Sequence, residues 1–262
     1  MKYLIIFLAT ICTLFAGNYK DNIDVKNLDV VIKKYNFSFV GNISNEKNVS
    51  LGTCHVINEN TVITNASILQ TRILIPDTTV INGNEVITQK EIGRSWIDKS
   101  NLHINMDGKK YAIEKIIPHP DYNENNEYLP NIAMVLTKEN INCRYPQLSN
   151  TLIEKNFTYS ILGYEKSCVY GTNKVDSRFN NNNFNYCSIS LDTKEQNSNS
   201  TIFEFNPDSS DKGFALLKVV DNDVILIGLL QDYKSNEKES IFLDLSDIID
   251  WLNTNAISQI TR

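Results

Sequence analysis

This 262-residue sequence predicts an all-β fold closed by one C-terminal helix, on three observations. Apolar runs of strand length recur along the chain, each is set apart by turn-forming Asn, Asp, Gly or Pro, and helical spacing appears only near the end. The runs are Thr61-Val62-Ile63-Thr64, Ile73-Leu74-Ile75, Tyr111-Ala112-Ile113, Ile132 to Leu136, Tyr159 to Leu162, Phe214 to Leu217 and Val224 to Leu230. Many short strands of this kind point to a barrel or a sandwich. Leu245, Ile248, Ile249, Leu252 and Ile257 then recur at spacings of three and four behind Ser246, which reads as the helix cap. The stretch from Asn173 to Ser200, with Asn180 to Asn183 in a row, is the most polar and reads as a mobile loop.

The start of the chain has a different logic. Met1 and Lys2 precede an apolar run from Leu4 to Phe15 and the small pair Ala16-Gly17, the pattern of a cleaved signal peptide over residues 1–17. A run of that length is too short for a bilayer core, which takes roughly 20 apolar residues. The expectation is a secreted protein over 18–262. With 25 Lys+Arg against 31 Asp+Glu the formal charge is −6. That balance argues against a nucleic-acid binder and against anionic membranes as partners, because both need a concentration of basic side chains.

Once Cys12 leaves with the signal, Cys54, Cys143, Cys168 and Cys187 remain, an even number that suits two disulfides in an oxidising compartment. Three pairings are open; Cys168 with Cys187 is favoured because it would close a polar loop. No C-x-x-C pair exists and the histidines His55, His103 and His119 are scattered, so no metal site is expected. Six N-x-S/T sequons follow the signal, at Asn36, Asn42, Asn48, Asn65, Asn156 and Asn199. Asn65 is the doubtful one, because the resemblance described next puts it at a buried strand end.

Four segments in order resemble the chymotrypsin/trypsin-like serine protease family. Leu51-Gly52-Thr53-Cys54-His55-Val56-Ile57-Asn58 and, without a gap, Thr61 to Ile68 look like C-G-G-S-L-I-N followed by W-V-V-S-A-A-H-C. Tyr111 to Tyr122, with Pro118-His119-Pro120, is similar to the strand and H-P-x-Y loop before D-I-A-L, which here reads Asn131-Ile132-Ala133-Met134. Ser210-Asp211-Lys212-Gly213-Phe214 falls where the family has G-D-S-G-G, and Val224 to Leu230 resembles the strand that ends in S-W-G. Ile241 to Leu245 and Ile248 to Leu252 are similar to its terminal helix, and Gly163-Tyr164 to its G-W. The resemblance implies two six-stranded antiparallel β-barrels, about 27–124 and 125–262, the second carrying the helix.

The same resemblance puts Ser67 at the catalytic histidine, Asn131 at the aspartate and Lys212 at the serine. Hydrolysis by this family needs a hydroxyl nucleophile, an imidazole base and a carboxylate to support it. A hydroxyl at the base position, an amide at the acid position and an ammonium at the nucleophile position supply none of these. Ser210 takes an oxyanion-hole position, Asp211 the position that pairs with a freed amino terminus, Asn206 the floor of the specificity pocket, and Gln231-Asp232-Tyr233 replaces S-W-G. The expectation is a monomeric, cofactor-free, proteolytically inactive binding protein, a regulator or decoy in protease cascades of host defence, complement, clotting or melanisation. Two alternatives stand beside it: a weak hydrolase using a Ser67/Lys212 dyad, and a structural or storage glycoprotein.

Overall fold

The computed structural model describes residues 37–257 apart from 82–83, 127–128, 155–157, 165–167, 175–176, 191–211, 221–222 and 235–238. The first half builds a closed antiparallel barrel. Its strands are β1 (Val40–Asn45), β2 (Ser50–Asn58), β3 (Thr61–Thr64), β6 (Leu102–Met106), β7 (Lys109–Pro118) and β8 (Ala133–Thr137), in the ring order β1-β2-β3-β8-β7-β6. β6 alternates buried and partly exposed residues, the period-two pattern of a strand with one face on the core. Asp107 and Gly108, both at positive φ, turn β6 into β7; a two-residue Asp-Gly turn matches the twist of a tight hairpin. Because β8 pairs with both β3 and β7, the first barrel runs to Thr137. The boundary expected at 124–125 therefore moves: the sixth strand arrives only after the H-P loop.

Between β3 and β6 the chain leaves the barrel. A 3-10 turn over Ala66–Leu69 leads into β4 (Gln70–Ile81), which pairs only with β5 (Asn84–Trp96) as a two-stranded ribbon. Ile73, Leu74 and Ile75 lie exposed on this ribbon. Among the described residues their apolar character, which reads as a core strand in the sequence, has no third strand or helix behind it.

The second half forms one sheet in the order β11-β10-β14-β15-β16-β13-β12. These strands are β10 (Thr158–Tyr164), β11 (Cys168–Lys174), β12 (Ser177–Asn181), β13 (Phe184–Ser190), β14 (Ala215–Val220), β15 (Asp223–Lys234) and β16 (Glu239–Asp244), with β9 (Gln147–Leu148) beside β15. The two ends of the sheet, β11 and β12, are consecutive in the chain with only residues 175 and 176 between them. Among the described residues no pairing of β11 with β12 closes this sheet into a ring.

β12 and β13 correct the expectation of a polar loop there. Asn182 and Asn183 sit at φ 50° and 70°, and asparagine tolerates this left-handed turn conformation far better than most residues. The asparagine row is therefore a hairpin turn, while residues 191–200 of the expected loop lie outside the described residues.

The C-terminal helix α1 spans Ile249–Ile257 and follows a 3-10 turn over Leu245–Ile248. The cap is Asp244, not Ser246: its carboxylate accepts the Ser246 N–H at 3.0 Å and hydroxyl at 2.7 Å, and its other oxygen takes the Ile153 N–H at 2.7 Å. No helix among the described residues is long and apolar enough to cross a membrane.

The expected disulfides are not formed. Cys54, Cys143 and Cys187 are free thiols. Cys187 pairs through its backbone with Arg178 on β12, whereas Cys168 lies opposite Tyr164 on β10. Cys54 and Cys187 serve as small apolar groups in the two cores, and their burial pushes both thiols far up from the ordinary range.

Candidate active site

Four segments that are distant in sequence converge between the first barrel and the second sheet. β3 ends at Thr64, Asn65 turns the chain, and the 3-10 turn begins with Ser67 in its second position. Asn131 ends the loop that enters β8, Lys212-Gly213 is the turn that enters β14, and Gln231 lies on β15.

Ser67 and Asn131 are joined twice. The Asn131 Oδ1 accepts the Ser67 N–H at 2.8 Å, and its Nδ2 donates to Ser67 Oγ at 3.0 Å. Gln231, which is buried, holds Asn131 in turn by accepting its N–H at 2.7 Å. Asn65 completes the network with two donations from Nδ2, to the Asn131 carbonyl and to the Leu230 carbonyl, each at 2.8 Å. All these groups are hydroxyls and amides, which neither take up nor release protons near neutral pH. The arrangement fixes position; it does not move a proton.

Lys212 reaches this site differently. Its carbonyl accepts the Thr53 N–H at 2.9 Å, which locks the turn onto β2. Gly52 permits the approach, since a Cβ there would stand 2.9 Å from that carbonyl oxygen. Burial, and then the neighbouring cations Arg94 and Arg72, pull the Lys212 ammonium below its ordinary pKa, against Asp232 and Glu91. Arg72 and Arg94 are held together by Glu91, at 3.4 and 2.9 Å. Among the described residues no hydrogen bond joins Lys212 to Ser67.

His55 has a role that sequence reasoning missed. Its ring is fully buried under the Lys212-Gly213 turn, with Nε2 2.7 Å from the Gly213 carbonyl and Nδ1 without a hydrogen-bond partner among the described residues. A histidine on an early strand gives no local sign of this, because its partner lies 158 residues away. His119 packs edge-on against Trp251 and Phe184, at centroid distances of 4.8 and 5.6 Å, and so ties the H-P loop to α1 and β13. Among the described residues no group of three or more His, Cys, Asp or Glu side chains gathers as a metal centre would require. Asn206, Ser210 and Asp211 lie outside the described residues.

The sequons separate by burial. Asn65 is fully buried and both its amide hydrogens are engaged, and Asn42 is buried with Nδ2 donating to Ser50 Oγ at 3.2 Å. Asn48 stands exposed on the β1–β2 turn, where it accepts from Lys110. Asn36, Asn156 and Asn199 lie outside the described residues. A glycan needs a free amide nitrogen on an accessible loop. Expressed through a secretory pathway, the protein is expected to carry glycan at Asn48 and none at Asn42 or Asn65 when glycopeptides are weighed. Occupancy at Asn65 would contradict its seat between the first barrel and the second sheet.

The trypsin family model matches residues 30–152, which hold the first barrel, Ser67 and Asn131. No curated protein sequence matches the chain significantly. Residues 30–152 thus carry the trypsin family's domain, and the closed first barrel, the second sheet and the single C-terminal helix among the described residues are consistent with the trypsin fold.

Proposed function

We propose that this chain is a secreted, proteolytically inactive member of its family that acts as a binding protein, a regulator or decoy toward components of a protease cascade. Fold alone does not assign function, so the reading rests on the site. The observation that carries it is the double hydrogen bond between Ser67 and Asn131. An amide here donates to a hydroxyl, where the family's carboxylate would accept from the imidazole base.

Secretion draws on the residue 1–17 pattern. A protein partner is supported by the β4–β5 ribbon, on which Ile87 is 79% and Ile92 57% exposed. Apolar side chains shown to water over such a ribbon are the usual mark of an interaction surface. The storage reading predicts no such surface.

The dyad reading needs Lys212 as base, and the downward pull on its ammonium is in the direction that reading requires. Against it, Ser67 Oγ takes its hydrogen bond from Asn131. The test is labelling of the purified protein with a broad fluorophosphonate probe, beside a peptide-library hydrolysis assay. Neither labelling nor turnover is expected. Labelling that vanishes in both Ser67→Ala and Lys212→Ala would replace the inactive reading with the dyad.

A further inference from the structure

Trp96 is 43% exposed, which is uncommon for so large an apolar ring. It closes the base of the ribbon, where its backbone pairs with Gln70, and the Ile97 N–H bonds to the Leu69 carbonyl at 2.9 Å just beyond. Tyr122 stands against it edge to face, with ring centroids 6.1 Å apart and planes at 66°. The Tyr122 hydroxyl donates to Gln70 Oε1 at 2.8 Å, so the two aromatic walls are held in place from both sides.

Together these residues frame a cavity of about 490 Å³ whose rim carries Asn123, Glu124 and Asn125. Asn123 Oδ1 takes the Asn125 N–H at 2.9 Å and so sets the rim loop. The size is that of a small-molecule site, and its lining combines aromatic rings with a few convergent polar groups.

We propose that this cavity is a binding site for a neutral saccharide, distinct from the Ser67–Asn131 network. A pyranose ring presents a flat face of C–H bonds bordered by hydroxyls that both donate and accept. An indole covers the first, and side-chain amides, each with a donor and an acceptor, answer the second. The cavity's own lining holds the Glu124 carboxylate and no lysine or arginine, while the hollow beside it is lined by Lys99 and Lys115. Pro118 and Pro120 form part of the wall. They offer no backbone N–H, which removes donors that an added peptide strand would need. Trp96 and Pro118 also border an adjoining hollow of about 390 Å³, so an oligosaccharide gains contacts over a single ring. Because the walls are already held, little side-chain order is lost on binding.

The site stands on its own geometry and not on the loss of hydrolysis, so the probe experiment above and the following one fail separately. The purified full chain is titrated by calorimetry with tetramers of β-linked glucose and of N-acetylglucosamine, and with a proline-rich decapeptide. A glycoprotein and its deglycosylated form are titrated in parallel, to tell a free oligosaccharide from a protein-linked glycan. Saccharide binding is expected, weakened about tenfold or more by Trp96→Leu and largely kept by Trp96→Tyr, which preserves a flat aromatic face. Asn123→Leu, on the rim and away from the barrel cores, is expected to weaken it as well. The proposal is overturned if neither free nor protein-linked sugar binds, if Trp96→Leu binds sugar as the parent does, or if only the decapeptide binds.

Discussion

Replacing Gly213 by alanine is expected to lower the melting temperature by about 10 °C or more, from a loss of about 4 kcal/mol. Gly213 sits at φ 88° and a Cβ there would lie 2.1 Å from the Thr53 carbonyl oxygen and 2.9 Å from its carbon. The obstacle is backbone, so no rotamer change relieves it. Moving the turn breaks the Thr53 N–H to Lys212 carbonyl bond, and with it the contact between His55 Nε2 and the Gly213 carbonyl. Thr53 has further partners at stake: its carbonyl accepts from Thr64 Oγ1 at 2.6 Å, and its hydroxyl takes the Tyr164 N–H at 2.8 Å. The strain would therefore spread to β2, β3 and β10 together. Gly108 is the control. It also has positive φ, 73°, but an added Cβ there meets nothing within 4 Å, so alanine costs only the backbone strain of about 1 kcal/mol. Thermal melts of the two variants should differ severalfold in their shifts; equal shifts would mean that the turn is not packed against β2.

The second large effect is acid sensitivity. Burial lowers the His55 pKa from about 6.5 to about 4, opposed only by its bond to the Gly213 carbonyl. A base with a depressed pKa in the fold favours folding above its unfolded value, and that advantage is lost as the pH falls from 6.5 through 4. Integrated over the window, the loss amounts to about 3 kcal/mol. His103 and His119 are also held down, first by burial, and act with the same sign. Asp244 acts the other way, since burial raises its carboxyl and the folded chain takes up that proton first. Urea unfolding at pH 7, 5.5 and 4.5 should show falling stability. His55→Gln keeps a donor toward Gly213 without a titrating ring and should flatten the slope by the His55 share. An unchanged slope in that variant would refute the buried neutral imidazole.

The contrast between these residues and their neighbours shows where sequence reading stopped. Ser67, Asn131 and Gln231 were singled out by resemblance and do meet in one network. The positions were legible because strand lengths and motif order carry them. What each side chain does there was not. Nothing near Asn65 announces that its amide spans to Leu230, 165 residues on, and nothing near His55 announces Gly213.

Two other misreadings have a common cause. Ile73-Leu74-Ile75 has the composition of a core strand and lies in water, while the asparagine row has the composition of a loop and turns a hairpin. Composition reports what a segment can bury, and tertiary packing decides whether anything is there to bury it against. Cys168 and Cys187 looked like natural partners across a polar segment until the strands set them on different parts of the sheet.

The amino-acid order by itself determined most of the strands, the terminal helix and the trypsin-like motif order, since periodicity, turn chemistry and motif order are local properties of the chain. Tertiary structure alone decided that the Asn42 sequon is buried, which thiols stay free, that the β4–β5 ribbon pairs with neither the first barrel nor the second sheet, and that Trp96 and Tyr122 frame a cavity. Each of these depends on contacts between residues far apart in the chain, and local sequence carries no record of what a distant strand will bring alongside.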